Sequence, residues 1–224
     1  MTFSIVARCS SSGQLGVAIS SSSIAVAARC PWLRPGVGAV ATQNITLPAL
    51  GARVLDQLAG GADAAVALDR ACRTDPSIAY RQLAVIDHEG RTAHFTGSGA
   101  LGVSTALAGN QCVAAGNLLR TPDVIPAMVR SFEASTGLLA ERLLCALQAG
   151  LQAGGEAGDV HSAGLSVVAD VEWRLVDLRV DWADEDPIGQ LASLWRAYKP
   201  QMQDYLTRAL DPTAAPSYGV PGDE

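Results

Sequence analysis

The sequence predicts an α+β protein built as a four-layer α-β-β-α sandwich with mainly antiparallel sheets. Two observations carry this. Short runs with period-two alternation are joined by turn residues, so the strands come as hairpins. Helical periodicity comes in adjacent pairs, and a pair of amphipathic helices needs a sheet face to cover. The order reads β-β-β, α-α, β-β-β, α-α, β-β, α. The alternative arrangement is a single sheet with helices on one side.

Residues 3–8 alternate and predict a strand, and Cys9-Ser-Ser-Ser-Gly-Gln14 is turn chemistry. Residues 15–20 predict the returning strand. A Ser/Ala-rich segment and Pro31-Trp32 follow, then an apolar Gly/Ala/Val strand over 37–43 that suits a buried sheet. Helical spacing runs over 48–60 and 62–73, with Gly60-Gly61 as a C-cap signal between them. Residues 81–87 and 91–96 predict a second hairpin, and 111–115 a further short strand. Two helices follow, about 122–135 and 138–152, the second ended by Gly154-Gly155. Residues 162–169 and 173–180 predict a third hairpin, and 187–209 a long helix. The expectation is one domain over 1–210 and an irregular Pro/Gly-rich tail over 211–224.

Composition excludes several classes. The chain has 224 residues, 49% of them hydrophobic and 17% charged, which a disordered chain would not show. A net charge of −6 leaves no dense basic patch, so no nucleic-acid partner is expected. No apolar window approaches about 18 residues, so no membrane partner is expected either. The five cysteines are spread without a Cys-x-x-Cys pair, as reduced thiols of a cytoplasmic protein would be. The three histidines, His88, His94 and His161, are not clustered, so neither a metal nor an organic cofactor is expected. Of the 16 basic residues one is a lysine, Lys199, so lysine-dependent chemistry is confined to that position.

The first strand opens at Thr2, directly after Met1. Threonine is small, so removal of Met1 is expected. A hydroxyl and a free α-amine would then share one residue, and an amine with pKa of about 7.7–8.0 can serve as its base. A strand that follows at once, within an α-β-β-α order, is the layout of N-terminal-nucleophile amide hydrolases. An ordinary second residue is the plainer reading. If the first turn centres on Ser11-Ser12, residue 21 or 22 lies opposite Thr2. Ser21 and Ser22 are therefore candidates to orient it, although a run of serines also suits a turn. Asn117, in Ala115-Gly116-Asn117, could donate to an oxyanion, and Gln43 is a similar candidate; either could equally mark a turn. His161 could be a base, a substrate contact or a surface residue. Walker A, Gly-x-Gly-x-x-Gly and Gly-x-Ser-x-Gly patterns are absent from the sequence.

The chain resembles a bacterial family with an N-terminal-nucleophile hydrolase-like fold, domain of unknown function 1028. The matching stretches include Thr2-Phe-Ser-Ile-Val-Ala-Arg8, Gly13-Gln-Leu-Gly-Val-Ala-Ile19, Pro31-Trp32, Gly36–Gln43, Arg81-Gln82, Ala115-Gly-Asn117, Leu139–Leu144, Val176–Asp181 and Asp186-Pro187. The resemblance implies the four-layer sandwich and, by analogy with the superfamily, amide hydrolysis. Two places depart from the family pattern. The run Glu156-Ala-Gly-Asp-Val-His161 lacks a basic residue and has histidine for glutamine, and position 22 is Ser22 rather than basic or aromatic. Both fall where substrate contacts are expected.

The expected protein is thus an amidohydrolase for a small amide, cyclic amide or peptide-like molecule. Thr2 is the nucleophile, Asn117 serves the oxyanion and Ser21 positions. Gln43, Ser22, Glu156 and His161 are the expected substrate contacts. The alternative is a non-catalytic small-molecule-binding or assembly protein on the same fold. Trp195, Tyr198, Met202 and Tyr205 on the final helix would cover either their own sheet or a second subunit of a homo-oligomer.

Overall fold

The computed structural model describes residues 1–222. The strands are β1 (Thr2–Arg8), β2 (Leu15–Ser21), β3 (Pro31–Arg34), β4 (Gly38–Asn44), β5 (Arg81–Asp87), β6 (Thr92–Thr96), β7 (Val103–Gly109), β8 (Cys112–Leu119), β9 (Ser162–Val168) and β10 (Arg174–Val180). The helices are α1 (Ala49–Ala59), α2 (Ala64–Cys72), α3 (Val124–Ala134), α4 (Leu139–Gln152), α5 (Pro187–Tyr198) and α6 (Met202–Leu210). Six strands form one sheet in the order β10-β9-β2-β1-β8-β7, and four form a second in the order β3-β4-β5-β6. The strand pairings are antiparallel, so the chain is an α+β protein.

Period-two alternation decides what each strand face meets. In β1, Phe3, Ile5 and Ala7 join an apolar cluster with Ile125, Met128, Leu143 and Leu191 of the helices that follow β8 and β10. In β5, Leu83 and Val85 meet Leu50, Val54 and Leu68 of α1 and α2. The opposite faces meet each other, because Val6, Leu15, Val17 and Val113 of the large sheet pack with Ala39, Ala41, Ala84 and Ile86 of the small one. On the outer side of the small sheet α1 lies very close to β3, since a Cβ at Gly51 would stand 2.2 Å from the Trp32 indole.

Four differences from the sequence expectation have local causes. β7 was not expected; it is a sheet edge of sequence Val-Ser-Thr-Ala-Leu-Ala-Gly, partly exposed along its length, so it carries little alternation. β3 is a four-residue edge strand that starts on Pro31, and proline suits such an edge. β8 continues four residues past the expected end at 115, through Gly116 and Asn117, whose residue types dilute a strand signal. The final helix is not continuous. It gives way to one 3-10 turn at Lys199–Gln201, where Pro200 brings no N–H.

Trp195 is buried against β9 and β10, and the Tyr198 hydroxyl donates to the Leu175 carbonyl at 2.8 Å, whereas Tyr205 stays exposed. Beyond α6 the described residues follow an irregular course, with Arg208 stacked 3.7 Å over the Tyr218 ring. The last two residues of the expected tail, Asp223 and Glu224, lie outside the described residues. No helix among the described residues is long and apolar enough to cross a membrane.

Candidate active site at the start of the first strand

β1 is flanked on both sides, and the two registers decide what surrounds Thr2. Phe3 pairs with Ser20, which brings Ser21 beside Thr2. On the other side Thr2 pairs directly with Asn117. Thr2 is 5% exposed, and Ser21 and Asn117 are fully buried. Thr2 Oγ1 lies 3.4 Å from Ser21 Oγ, and both hydroxyls donate to the carbonyl oxygen of Met1. Ser21 Oγ also accepts the Ser23 N–H at 3.0 Å. The three residues named for nucleophile, orientation and oxyanion therefore share one strand end.

Below them, between the sheets, lies a chain of buried polar groups. Ser4 Oγ donates to Gln43 Oε1 at 2.7 Å, and Gln43 Nε2 donates to Gln82 Oε1 at 2.8 Å. Asn117 Nδ2 donates to the same Gln82 oxygen at 3.1 Å. Gln82 Nε2 in turn donates to the Gly116 carbonyl at 2.9 Å and to Thr96 Oγ1 at 3.1 Å. Gln82 is the residue that sequence reasoning missed as part of the site. The available signal was its even position in β5, where Ala84 and Ile86 face the other sheet and a glutamine must find polar partners. Gln43 touches Ser4 and Gln82 rather than Thr2, so it acts one layer below the nucleophile. Asn117 Oδ1 is buried and has no partner among the described residues, which leaves an idle acceptor next to Thr2.

Glu156 reaches this end through backbone stitching. Gly154 and Gly155, at φ 123° and 57°, turn the chain after α4. These values are cheap for glycine and costly for other residues. Leu118, at φ 49°, bends β8 just past Asn117. The Ala157 N–H donates to the Leu118 carbonyl at 2.9 Å, and Leu119 bridges to Glu156. The Glu156 side chain is 2% exposed, and its oxygens accept the Ser22 N–H at 3.1 and 3.2 Å. Burial pushes this carboxyl up to about 7, against the opposing pull of the chain-terminal ammonium, the Ser22 bond and His161. Ser22 thus acts on Glu156 through its backbone N–H and its side chain.

The backbone N–H of His161 donates to the Ser21 carbonyl at 2.9 Å, and its ring stacks on Trp182 at a centroid distance of 4.4 Å. A cleft of about 560 Å³ opens beside Glu156, lined also by Arg120, Gly158, Asp159 and Asp184 among others. Met1 approaches one of the lining residues, with its Cε 3.4 Å from where a Cβ on Gly158 would be. No group of three or more His, Cys, Asp or Glu placed to hold a metal ion occurs among the described residues.

The profile of the family described as "Family of unknown function (DUF1028)" matches residues 2–191. The chain belongs to the DUF1028 family. A solved protein from Silicibacter pomeroyi, assigned to DUF1028 as well, has a TM-score of 0.85 at 31% identity, covering 91% of this chain and 89% of that one. The DUF1028 match opens on Thr2 and ends inside α5, so it contains Ser21, Gln43, Gln82, Asn117, Glu156 and His161. Anbu from Hyphomicrobium sp. strain MC1 is similar at 14% identity and TM-score 0.45, over 97% of this chain and 100% of that one. Anbu (ancestral beta-subunit) from Yersinia bercovieri is similar at 12% identity and TM-score 0.43, over 91% of this chain and 97% of that one. No curated protein matches.

Proposed function

We propose that this DUF1028 chain is an amide hydrolase of the N-terminal-nucleophile type, with residues 1–210 folded as one four-layer α-β-β-α sandwich. The observation that carries the reading is the convergence of Thr2, Ser21 and Asn117 at one buried strand end, with Thr2 Oγ1 3.4 Å from Ser21 Oγ. Loss of Met1 frees the Thr2 amine and releases both hydroxyls from the Met1 carbonyl. Thr2 Oγ1 then attacks the substrate carbonyl carbon, and its proton passes to the α-amine. The oxyanion forms at Asn117, whose amide is held by Gln82. The carbon–nitrogen bond breaks, the leaving nitrogen takes the proton, and water hydrolyses the threonyl ester. The substrate is a small amide, cyclic amide or peptide-like molecule that enters by the cleft beside Glu156 and His161. No metal or organic cofactor enters this scheme.

The test combines intact mass with a panel of amides and lactams. The expected result is a cellular form without Met1 that turns over at least one compound, and a Thr2→Ala variant that does not. One observation favours the second reading, a small-molecule-binding or assembly protein on the same fold: with Met1 present, its carbonyl occupies both hydroxyls. Retention of Met1 in the cellular form would select that reading.

A further inference from the structure

Glu156 is a buried carboxylate that lacks a basic partner. None of the ion pairs among the described residues includes it. Its hydrogen-bond donors come from one residue, Ser22, whose N–H lies 3.1 and 3.2 Å from the two oxygens. A carboxylate placed this deep is ordinarily paired with a cation or given several donors. Its location is specific. Ser22 follows Ser21, which flanks Thr2 on one side, and Leu119, bridged to Glu156, lies two residues past Asn117, which flanks Thr2 on the other. Both neighbours of β1 therefore hand this carboxylate to the end where β1 begins.

We propose that Glu156 is the positioning residue for the α-amine of Thr2, and that its carboxylate stabilises the ammonium formed when that amine takes the hydroxyl proton. The proposal rests on the reading of Thr2 as an N-terminal nucleophile freed by loss of Met1. The α-ammonium of Met1 already acts on Glu156, and the α-nitrogen of Thr2 stands only one residue further along, within about 3.8 Å as consecutive Cα atoms are spaced. In the reaction no proton is lost or gained by the pair as a whole. The proton moves from Thr2 Oγ1 to the amine and from there to the leaving nitrogen, while Glu156 offsets the transient positive charge. This is the part that the buried carboxylate plays beside the histidine of a serine triad.

The other groups that face Glu156 fit this assignment. From the segment leading into β9 comes His161, a second group whose charge opposes the burial effect. Arg120, across the cleft, is engaged by the Gly154 and Ala157 carbonyls at 3.4 and 3.3 Å. Asp159, Asp184, Glu185 and Asp186 also line the cleft, and each would add to the attraction for an ammonium.

The experiment titrates the Thr2 amine directly in Met1-free full-length protein. Carbamoylation by cyanate, read by mass spectrometry of the N-terminal peptide across pH, gives its midpoint without any turnover assay. The wild-type midpoint should lie above the ordinary α-amine range of about 7.7–8.0. Glu156→Gln should lower the proton affinity about tenfold or more, and Glu156→Asp should restore part of it. Equal midpoints in wild type and Glu156→Gln overturn the proposal. So does a wild-type midpoint inside or below the ordinary range, which decides the matter even if the glutamine variant does not fold. Should Glu156→Gln leave the amine unchanged but raise KM for a cationic substrate, the carboxylate serves the ligand and the proposal is overturned. Retention of Met1, or turnover that survives Thr2→Ala, defeats the nucleophile reading instead, and neither result resembles an unshifted amine.

Discussion

The hydroxyls of Thr2 and Ser21 stand 3.4 Å apart and converge on one acceptor, the Met1 carbonyl oxygen. On the proposed loss of Met1, Ser21 would be the hydroxyl, 3.4 Å away, that holds Thr2 Oγ1 in one rotamer. One neutral hydrogen bond contributes about 0.5–1.5 kcal/mol, and 1.4 kcal/mol is about tenfold in rate. Ser21→Ala should therefore lower kcat by about two- to tenfold and leave Thr2 reactive. A loss of more than a thousandfold would mean that Ser21 itself takes part in bond making, and an unchanged kcat would remove it from the site.

Gln82 is the joint of the buried network, because one oxygen accepts from both Gln43 and Asn117. Gln82→Leu keeps roughly the volume and strands two amide donors and the Gly116 carbonyl. Each of the three stranded groups costs about 1–3 kcal/mol, so the variant should be less stable by about 3–9 kcal/mol in a urea titration with unchanged slope. Gln43→Leu added to Gln82→Leu should cost less than the sum of the two, with a coupling of about 0.5–3 kcal/mol. Strict additivity would show that the two glutamines do not depend on each other.

These two cases differ in how far the sequence alone reaches. The neighbours of Thr2 across the first hairpin follow from turn length and period-two alternation, and the observed pairing of Phe3 with Ser20 sets Ser21 there. The antiparallel hairpins and paired helices were legible for the same reason, since their signals are local. Asn117 could be named only as a polar residue near a strand end, because nothing within a few residues of it says that β8 lies beside β1. Gln82 was illegible as a site residue: its partners Gln43, Thr96 and Asn117 come from three other strands, one of them in the other sheet. β7 failed for the opposite reason, as an edge strand partly exposed along its length has little apolar period to read.

The titration of Glu156 predicts a pH dependence with a definite sign. Burial holds its carboxyl at about 7 in the folded chain, above the ordinary 4.5. The folded state therefore binds the proton more tightly than the unfolded state. Between these values the native form carries more protons, so stability contributed here is present at low pH and is lost as pH rises through about 7. Glu156→Gln mimics the protonated form. Its melting temperature relative to wild type should climb between pH 5 and pH 8 and level off above that. A difference that stays flat across this interval would mean that Glu156 is ionised throughout.

Asn117 offers the sharpest catalytic prediction, because its two amide atoms are used unequally. Nδ2 spends one N–H on Gln82 Oε1 at 3.1 Å, whereas Oδ1 has no partner among the described residues. In the proposed reaction the second N–H is the group that serves the developing oxyanion beside Thr2. Removal of a single donor of this kind lowers kcat by about 10²–10³ in acyl-transfer enzymes, with little change in KM. Asn117→Ala should show that pattern. Asn117→Asp should fall at least as far, since a carboxylate would repel the oxyanion and also face the Gln82 carbonyl oxygen. The ratio of the two variants carries the argument. If aspartate retains wild-type kcat while alanine does not, residue 117 works through its acceptor, paired with the Thr2 amine, and the oxyanion must be held by backbone N–H groups instead.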